Sequence, residues 1–286
     1  MATRIARTLG LLALCLPSLF LGSACSGGLG HRKVATISGE QAIPQGVTRV
    51  EIEFENGSVE VRRGAPQKAA FRGQIRRAAD TEAALAQLEA TGSDLTFAVD
   101  PAAPDLWRIT GPERPKGDLG VLAVEVQIDL PGELAVSVRV RGSGNLTIDG
   151  RDAPIGLDCG RGDLRLEQTR GAAKLHTGRG NVIADDHSGD LDVLADVGDM
   201  QIFVREPGTR LRLVTGMGNL QCLLPPDAPF RVEARTQTGK LANGFGLPME
   251  RDGFSAWMIG QRGDGRTELV MHSGKGHLSL SHKVFD

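Results

Sequence analysis

A glycine-led motif that returns at a nearly fixed interval is the feature that most constrains this fold. The motif carries apolar residues two and four positions after the glycine, and a degraded copy occurs at Gly239. The central copies follow one another at a constant interval, and the next two intervals are slightly longer. Such a period is typical of solenoids, in which each repeat buries its apolar side against its neighbours. The complete copies begin at Gly57, Gly144, Gly162, Gly180, Gly198, Gly218 and Gly276.

The residues that precede each glycine repeat as well. Positions seven, five and three before the glycine are apolar or small, as in Ala173, Leu175 and Thr177 before Gly180. Since alternate residues of a strand share a face, these positions join the apolar positions after the glycine in one inward column. A second glycine series lies midway, for example at Gly171, so each unit holds two strands and two corners. We therefore predict an all-β fold, a single-stranded β-solenoid with about 18–21 residues per coil.

The N-terminal third of the sequence is less regular. We predict one short helix at Ala83–Thr91 within an N-terminal β segment. Asp80 or Thr81 would cap the start of this helix, and Gly92 would end it. Because a copy of the repeat already precedes the helix, we predict a single solenoid domain over residues 34–286.

The first 24 residues have the layout of a secretory signal peptide. Arg4 and Arg7 precede an apolar run, residues 9–21, which is too short to cross a membrane as a helix. Small residues then lead into Cys25, and this junction resembles the bacterial lipoprotein signal. The resemblance implies that residues 1–24 are removed and that Cys25 becomes a lipidated first residue. An ordinary soluble secreted protein, cut nearby, is the alternative.

The lipoprotein resemblance also implies a cellular location. Ser26 is not the aspartate associated with retention in the inner membrane, so the resemblance points to an exported protein anchored by lipid in the cell envelope, at the outer membrane. Residues 25–33 would then form a short flexible tether between the lipid and the domain.

Four segments of the sequence resemble the bacterial putative-adhesin family of glycine-punctuated β-solenoids, whose biochemical activity is unassigned. The resemblance covers roughly Val34 to Asp286, and its most specific part is the proline turn at residues 128–132 followed by successive glycine corners. It implies a non-catalytic adhesin or scaffold of the cell envelope, and some family members are linked to envelope-stress systems. The segments are VEIEFENGSVEV, VEVQIDLPGELAVSVRVRGSGNLTI, IGLDCGRGDLRL and KLHTGRGNVIA.

Composition excludes some functions. A net charge of −2 and an aromatic content of 4% argue against a nucleic-acid partner, which usually requires basic excess and stacking platforms. The sequence carries no serine elbow and no phosphate-binding loop, and we expect no catalytic residue, cofactor or metal. Two alternatives stay open. One is an envelope-stress sensor component, and the other is a polysaccharide-acting enzyme that uses the outward pair Asp190 and Asp192.

One charge cluster is a candidate binding surface. Six basic residues fall in a segment without acids, and near a lipid anchor they could contact anionic headgroups, an anionic envelope polymer or another envelope protein. A solvated strand face is the simpler interpretation. The six residues are Arg62, Arg63, Lys68, Arg72, Arg76 and Arg77.

Polar residues at the corners have two interpretations. Asn or Asp directly follows each central corner glycine, as at Asn145 and Asp163. These residues could form a ladder that binds cations or sugars, but we favour side chains that hydrogen-bond their own turn. His187, beside Asp185 and Asp186, is expected at a solvated corner.

The two cysteines of the predicted solenoid domain test the repeat alignment. Cys159 lies three residues before the Gly162 corner, and Cys222 lies four residues after the Gly218 corner. These corners are three coils apart, a separation of about 14 Å at about 4.8 Å per strand. A disulfide needs Cα atoms within about 7 Å. We therefore predict two free, buried thiols.

Overall fold

The computed structural model describes residues 30–117 and 119–284, which are almost entirely β-structure, as predicted. The signal peptide, Cys25 and tether residues 25–29 lie outside the described residues. A helix, α1, spans Glu82–Glu89. In chain order the strands are β1 (His31–Ala42), β2 (Arg49–Phe54), β3 (Val59–Arg63), β4 (Lys68–Ala79), β5 (Thr96–Asp100), β6 (Ala103–Thr110), β7 (Val121–Leu130), β8 (Ala135–Ser143), β9 (Leu146–Asp149), β10 (Ile155–Arg161), β11 (Leu164–Glu167), β12 (Ala173–Arg179), β13 (Val182–Val197), β14 (Met200–Met217), β15 (Leu220–Leu224), β16 (Phe230–Thr238), β17 (Leu241–Asn243), β18 (Glu250–Asp252), β19 (Ser255–Arg262), β20 (Thr267–Lys275) and β21 (Leu278–His282).

Each central coil contributes a strand to each of two stacks. Stack A contains the strands that lead into a corner glycine, and stack B contains the strands that follow it. In stack A, Leu175 pairs in parallel with Leu157 on one side and with Val193 on the other. In stack B, Leu164 pairs in parallel with Val182. Each partner occupies the equivalent position in the adjacent copy of the motif, so the period of the sequence is the register of the sheet.

The inward side chains of both stacks form one apolar core. Along β11, Leu164 and Leu166 are fully buried, whereas Arg165 is exposed on the outer face. Burial of one leucine side chain contributes about 1.5–3 kcal/mol. Because the same contribution recurs from coil to coil, the stability of the solenoid grows with the number of stacked coils.

The coils are not stacked in chain order at either end of the solenoid. β14 pairs with β20 and β15 with β21, so the last coil of the chain lies between the Gly218 coil and the Gly239 coil. At the other end, β2 lies between β6 and β8, and β3 lies between β7 and β9. The Gly57 coil is therefore enclosed by later parts of the chain.

The N-terminal end of the solenoid is closed by α1 and β1. The helix begins one residue before the predicted start, and the backbone N–H of Ala84 donates to Thr81 Oγ1 at 3.2 Å. Leu88 is fully buried where the helix packs on β1 and β4. The described residues include no helix of the length and hydropathy needed to cross a membrane.

The predicted tether is too long by three residues. Residues 31–33 already belong to β1 and pair antiparallel with residues 77–79 of β4. The flexible interpretation is wrong for these residues because β1 continues the sheet beyond β4, which gives its backbone groups partners.

The two predicted thiols occupy core positions. Cys159 and Cys222 are fully buried, and neither is in a disulfide. The chain of pairings from β11 through β13 and β14 to β15 puts their corners three coils apart, as predicted. Cys159 Sγ donates to the carbonyl oxygen of Gly144 at 3.1 Å, and burial raises the pKa of the Cys222 thiol to about 12.

The corner glycines are stacked directly on one another. Gly180 has a φ of 155°, and a Cβ atom there would lie 2.0 Å from the carbonyl oxygen of Gly162. At Gly218 the corresponding distance to the Gly198 carbonyl oxygen is 1.9 Å. The obstructing atoms belong to the backbone, so a side chain would fit only if neighbouring coils moved apart.

We predict that Gly180→Ala lowers the free energy of unfolding by about 3 kcal/mol or more, because backbone strain adds to the clash. Gly92→Ala is the matched control. Gly92 also has a positive φ, 81°, but a Cβ atom there would meet nothing within 4 Å. The control should lose only about 1–2 kcal/mol. Urea unfolding measures both values, and equal losses would contradict the stacked corners.

Candidate functional site

One edge of the solenoid carries a row of polar residues that directly follow the corner glycines. We call this row the ladder edge. Each side chain before the last accepts a hydrogen bond from the backbone N–H of the next residue in the row, at distances of 2.7 to 3.1 Å. In the order of the coils the row is Ser58, Asn145, Asp163, Asn181, Asp199, Asn219, His277 and Lys240.

The ladder corrects the favoured interpretation of these corner residues. Asn181 Oδ1, for example, accepts from the N–H of Asp199 in the next coil at 3.0 Å, not from its own turn. Each such bond contributes about 0.5–1.5 kcal/mol and fixes the register of two coils. In the described part of the chain, Asn181 Nδ2 and Asp163 Oδ2 have no hydrogen-bond partner, so each of these rungs has one polar atom that the ladder does not use.

The alternation of Asn and Asp along the ladder edge has an electrostatic cause. Neighbouring coils are about 4.8 Å apart, so consecutive carboxylates would repel one another. With Asn181 between them, Asp163 and Asp199 are two coils apart, about 10 Å. Both residue types supply the acceptor oxygen that the ladder needs, and the alternation limits the charge repulsion.

A second row of bonds fixes the corners from inside the core. Thr177 Oγ1 donates to the carbonyl oxygen of Gly162 at 3.0 Å, and Thr215 Oγ1 donates to that of Gly198 at 3.1 Å. The sequence predicts the inward column that contains these threonines, but not the carbonyl groups that they bond. The corners that carry the ladder edge are thus held from both sides.

Two arginines flank the ladder edge without a partner of their own. Arg161 and Arg179 each directly precede a corner glycine, and they are paired in register on neighbouring strands β10 and β12. Both are exposed, and neither forms an ion pair or side-chain hydrogen bond within residues 30–117 and 119–284. Like charges placed side by side in a sheet repel one another, so the pair is unfavourable unless a negatively charged group lies between them.

A cleft with a volume of about 670 Å³ opens at the N-terminal end of the ladder edge. Its walls include Asn56, Gly142 and the segment that follows β6. Arg141 donates to Glu53 from one wall, and Arg114 lies 3.6 Å from Glu55. These residues are far apart in the sequence, which explains why the sequence pattern did not indicate the cleft.

Two carboxylates of this cleft, Glu53 and Glu55, form ion pairs with Arg141 and Arg114 of its walls. In the parts of the chain that the structure describes, no group of three or more His, Cys, Asp or Glu residues is arranged to hold a metal ion.

The six residues of the predicted basic patch do not form one free surface. Four of them form ion pairs with acids from other parts of the chain or the same strand, and Arg72 donates to Gln127 Oε1 at 2.9 Å. Three of the four acids are distant in the sequence, and a local run of basic residues contains no information on them. The ion pairs are Arg62–Glu60, Arg63–Asp152, Lys68–Glu40 and Arg76–Glu125.

Arg77, the sixth residue of the predicted patch, points into the protein. It is 2% exposed and donates to the carbonyl oxygens of Leu88 and Gly92 at the end of α1. Burial lowers the pKa of its guanidinium group from the ordinary value. Arg77 therefore fixes the helix on β4 and is not available to a partner.

His187 is also buried, which contradicts the expected solvated corner. It is 0% exposed, its Nδ1 lies 3.0 Å from Thr169 Oγ1, and its Nε2 lies 3.2 Å from the carbonyl oxygen of Asp190. A neutral ring with its proton on Nε2 satisfies both contacts. Burial lowers the pKa of His187 below its ordinary value.

The outward carboxylates that the enzyme alternative relied on are occupied. Asp190 Oδ1 accepts from the backbone N–H groups of Arg210 at 3.0 Å and Thr209 at 2.7 Å, and these bonds lower the pKa of Asp190. Asp192 pairs with Arg212 at 3.0 Å. The two carboxylates therefore tie neighbouring coils together and are not a free acid–base pair.

We predict that Asn181→Asp destabilises the fold by about 1 kcal/mol at low salt, because it aligns three carboxylates on adjacent coils. About 1 M NaCl should recover most of the loss by screening. Asp163→Asn, which keeps the acceptor oxygen and adds no charge, is the control and should stay within about 0.5 kcal/mol of the wild type. Thermal unfolding at both salt concentrations checks this, and a salt-independent loss would contradict the charge argument.

We predict that His187 makes the stability depend on pH. In the unfolded chain it titrates near pH 6.5, whereas in the folded protein its pKa is lower. As the pH falls through about 6.5, the unfolded state gains a proton that the folded state does not, so the free energy of unfolding decreases. His187→Gln should remove this component. Urea unfolding at about pH 7.5 and about pH 5.5 tests it, and parallel profiles for both proteins would refute it.

No protein-family model matches the sequence, and no curated protein matches it. Among solved structures, the chain is similar to a putative cell adhesion protein from Clostridium sporogenes, with 11% identity and a TM-score of 0.40 over 87% of this chain and 100% of that chain. A putative adhesin from Bacteroides fragilis gives 11% identity and a TM-score of 0.35, over 87% and 97% of the two chains. A putative adhesin from Parabacteroides distasonis gives 10% and 0.32 at the same coverage.

Proposed function

We propose that this chain is a non-catalytic binding protein of the bacterial cell envelope. In this proposal it is an adhesin or scaffold, anchored by lipid at Cys25 in the outer membrane, that engages an envelope or surface partner through the ladder edge. The observation that supports it most directly is the unbroken row of hydrogen bonds between coils, which fixes polar groups in a straight line.

A rigid row of this kind suits binding. Each rung is held by the backbone of the next coil, so its unused polar atom is already in place before a partner arrives. Preorganised groups lose little conformational entropy on binding, which favours affinity without any moving part. The threonine bonds on the inner side of the corners add to this rigidity.

The leader supports the location. The cleavage-site pattern ends at Cys25, and β1 begins at His31, six residues later. Six residues reach at most about 20 Å. A lipid on Cys25 would therefore keep the N-terminal end of the solenoid close to the membrane surface.

A polysaccharide-acting enzyme is the second candidate function, and the large cleft is the observation that favours it. Glu53, Glu55 and Glu113 all line this cleft. The test is to incubate the protein with soluble polysaccharides and to measure new reducing ends. Turnover that Glu55→Gln abolishes would overturn the non-catalytic proposal, and no turnover on any substrate would support it.

We predict that the wild-type protein incorporates a labelled fatty acid and fractionates with outer membranes. Cys25→Ala should lose the label and be released or left unprocessed, because the acceptor thiol is gone. Ser26→Ala is the matched control and should behave as the wild type. Equal membrane partition and labelling of wild type and Cys25→Ala would overturn the lipid anchor.

A further inference from the structure

We propose that the ladder edge binds an extended anionic glycan, with one acidic group of the glycan held between Arg161 and Arg179. The inference rests on the proposed function only in taking the ladder edge as the binding surface. It adds the chemical class of the ligand and the residues that select it.

The arginine pair identifies the charge of the ligand. Arg161 and Arg179 are aligned on adjacent strands, about 4.8 Å apart, and both are exposed. Arginines preferentially form paired hydrogen bonds with carboxylate, sulfate or phosphate oxygens. One anion between the two guanidinium groups would convert their mutual repulsion into two attractive contacts.

The ladder identifies the rest of the ligand. Beside the arginines, Asn181 offers its Nδ2 donor, and Asp163 and Asp199 each offer an Oδ2 acceptor. The pattern of donors and acceptors repeats every two coils, about 10 Å, which is similar to the repeat of an extended disaccharide. Sugar hydroxyl groups both donate and accept, so they match a row in which the two alternate.

The cleft at the end of the ladder edge would hold one end of the bound glycan. Arg141 and Gly142 belong to the coil next to Arg161, and they form part of the cleft wall. A glycan that follows the ladder edge toward the N-terminal end would reach this cleft of about 670 Å³. The ladder edge therefore leads into the cleft.

The ladder edge disfavours a nucleic acid, another polyanion of repeating units. Its row of residues contains no phenylalanine, tyrosine or tryptophan for base stacking, which usually supplies much of the affinity for single strands.

The test measures binding of labelled oligosaccharides to the full chain, purified in detergent, by fluorescence anisotropy. The probes are oligogalacturonate with carboxylates, a heparin oligosaccharide with sulfates, a neutral cello-oligosaccharide and a single-stranded DNA of similar length. We expect one acidic oligosaccharide to bind at least 10-fold more tightly than the neutral one and than DNA. The better of the two acidic probes names the acidic group.

The double variant Arg161→Gln/Arg179→Gln should weaken that binding at least 10-fold. Arg231→Gln/Arg235→Gln is the matched control, since it removes two exposed arginines of β16 and changes the net charge equally. Melting temperatures of both double variants establish that they fold. A loss in the first double variant alone supports the proposal.

Three results would overturn the inference: equal losses in both double variants, DNA binding as tight as glycan binding, or no binding of any oligosaccharide. The membrane location of Cys25→Ala tests the proposed function separately from the glycan inference. If the protein binds no oligosaccharide but depends on Cys25 for its membrane location, the glycan inference is wrong and the envelope anchor is supported. If it binds an acidic glycan but its membrane location does not change in Cys25→Ala, the glycan inference is supported and the envelope anchor is wrong.

Discussion

The close stacking of corner on corner is the constraint on which the rest of this structure depends. A carbonyl oxygen of one corner lies where the side chain of the next corner would begin, so the corner positions require glycine. This contact aligns the residue after the glycine with its counterpart in the next coil, which permits the ladder of Asn181 and its neighbours. It also aligns the threonines that bond the corner carbonyls from the core side. Glycine, ladder and inner hydroxyl row therefore form one repeated unit.

The sequence predicts this unit because all of its parts lie within one period. The columns through Leu157 and Leu175, the free thiols and the capping role of Thr81 all follow from local spacing. The order of the coils at the two ends of the solenoid does not follow from local spacing. The Gly276 copy matches the motif well and the Gly239 copy matches it poorly. Neither copy shows which coil packs beside it in the solenoid.

The wrong predictions have the same cause, since they too concern contacts between distant segments. Residues 185–187 appear polar and solvated as a short segment, whereas the burial of His187 depends on Thr169 in the previous coil. A run of basic residues appears as a patch because most of the acids that neutralise it come from other parts of the chain, as Asp152 does for Arg63. The large cleft was not predicted because the residues on its walls come from separate strands and loops. Local patterns predicted the repeat, and the contacts between distant segments required the structure.

The most direct test of this account is the order of the coils. Gln221 pairs with Ser279 of the last coil, and Ser279 pairs in turn with Ala242, so Gln221 and Ala242 are two coils apart. The measurement is disulfide formation in Gln221→Cys/Ser279→Cys and in Gln221→Cys/Ala242→Cys, mapped by mass spectrometry. Cys222 is fully buried and its thiol pKa is raised to about 12, so it does not compete. The account predicts a crosslink in the first variant and none in the second, and the opposite result would show that the coils stack in chain order.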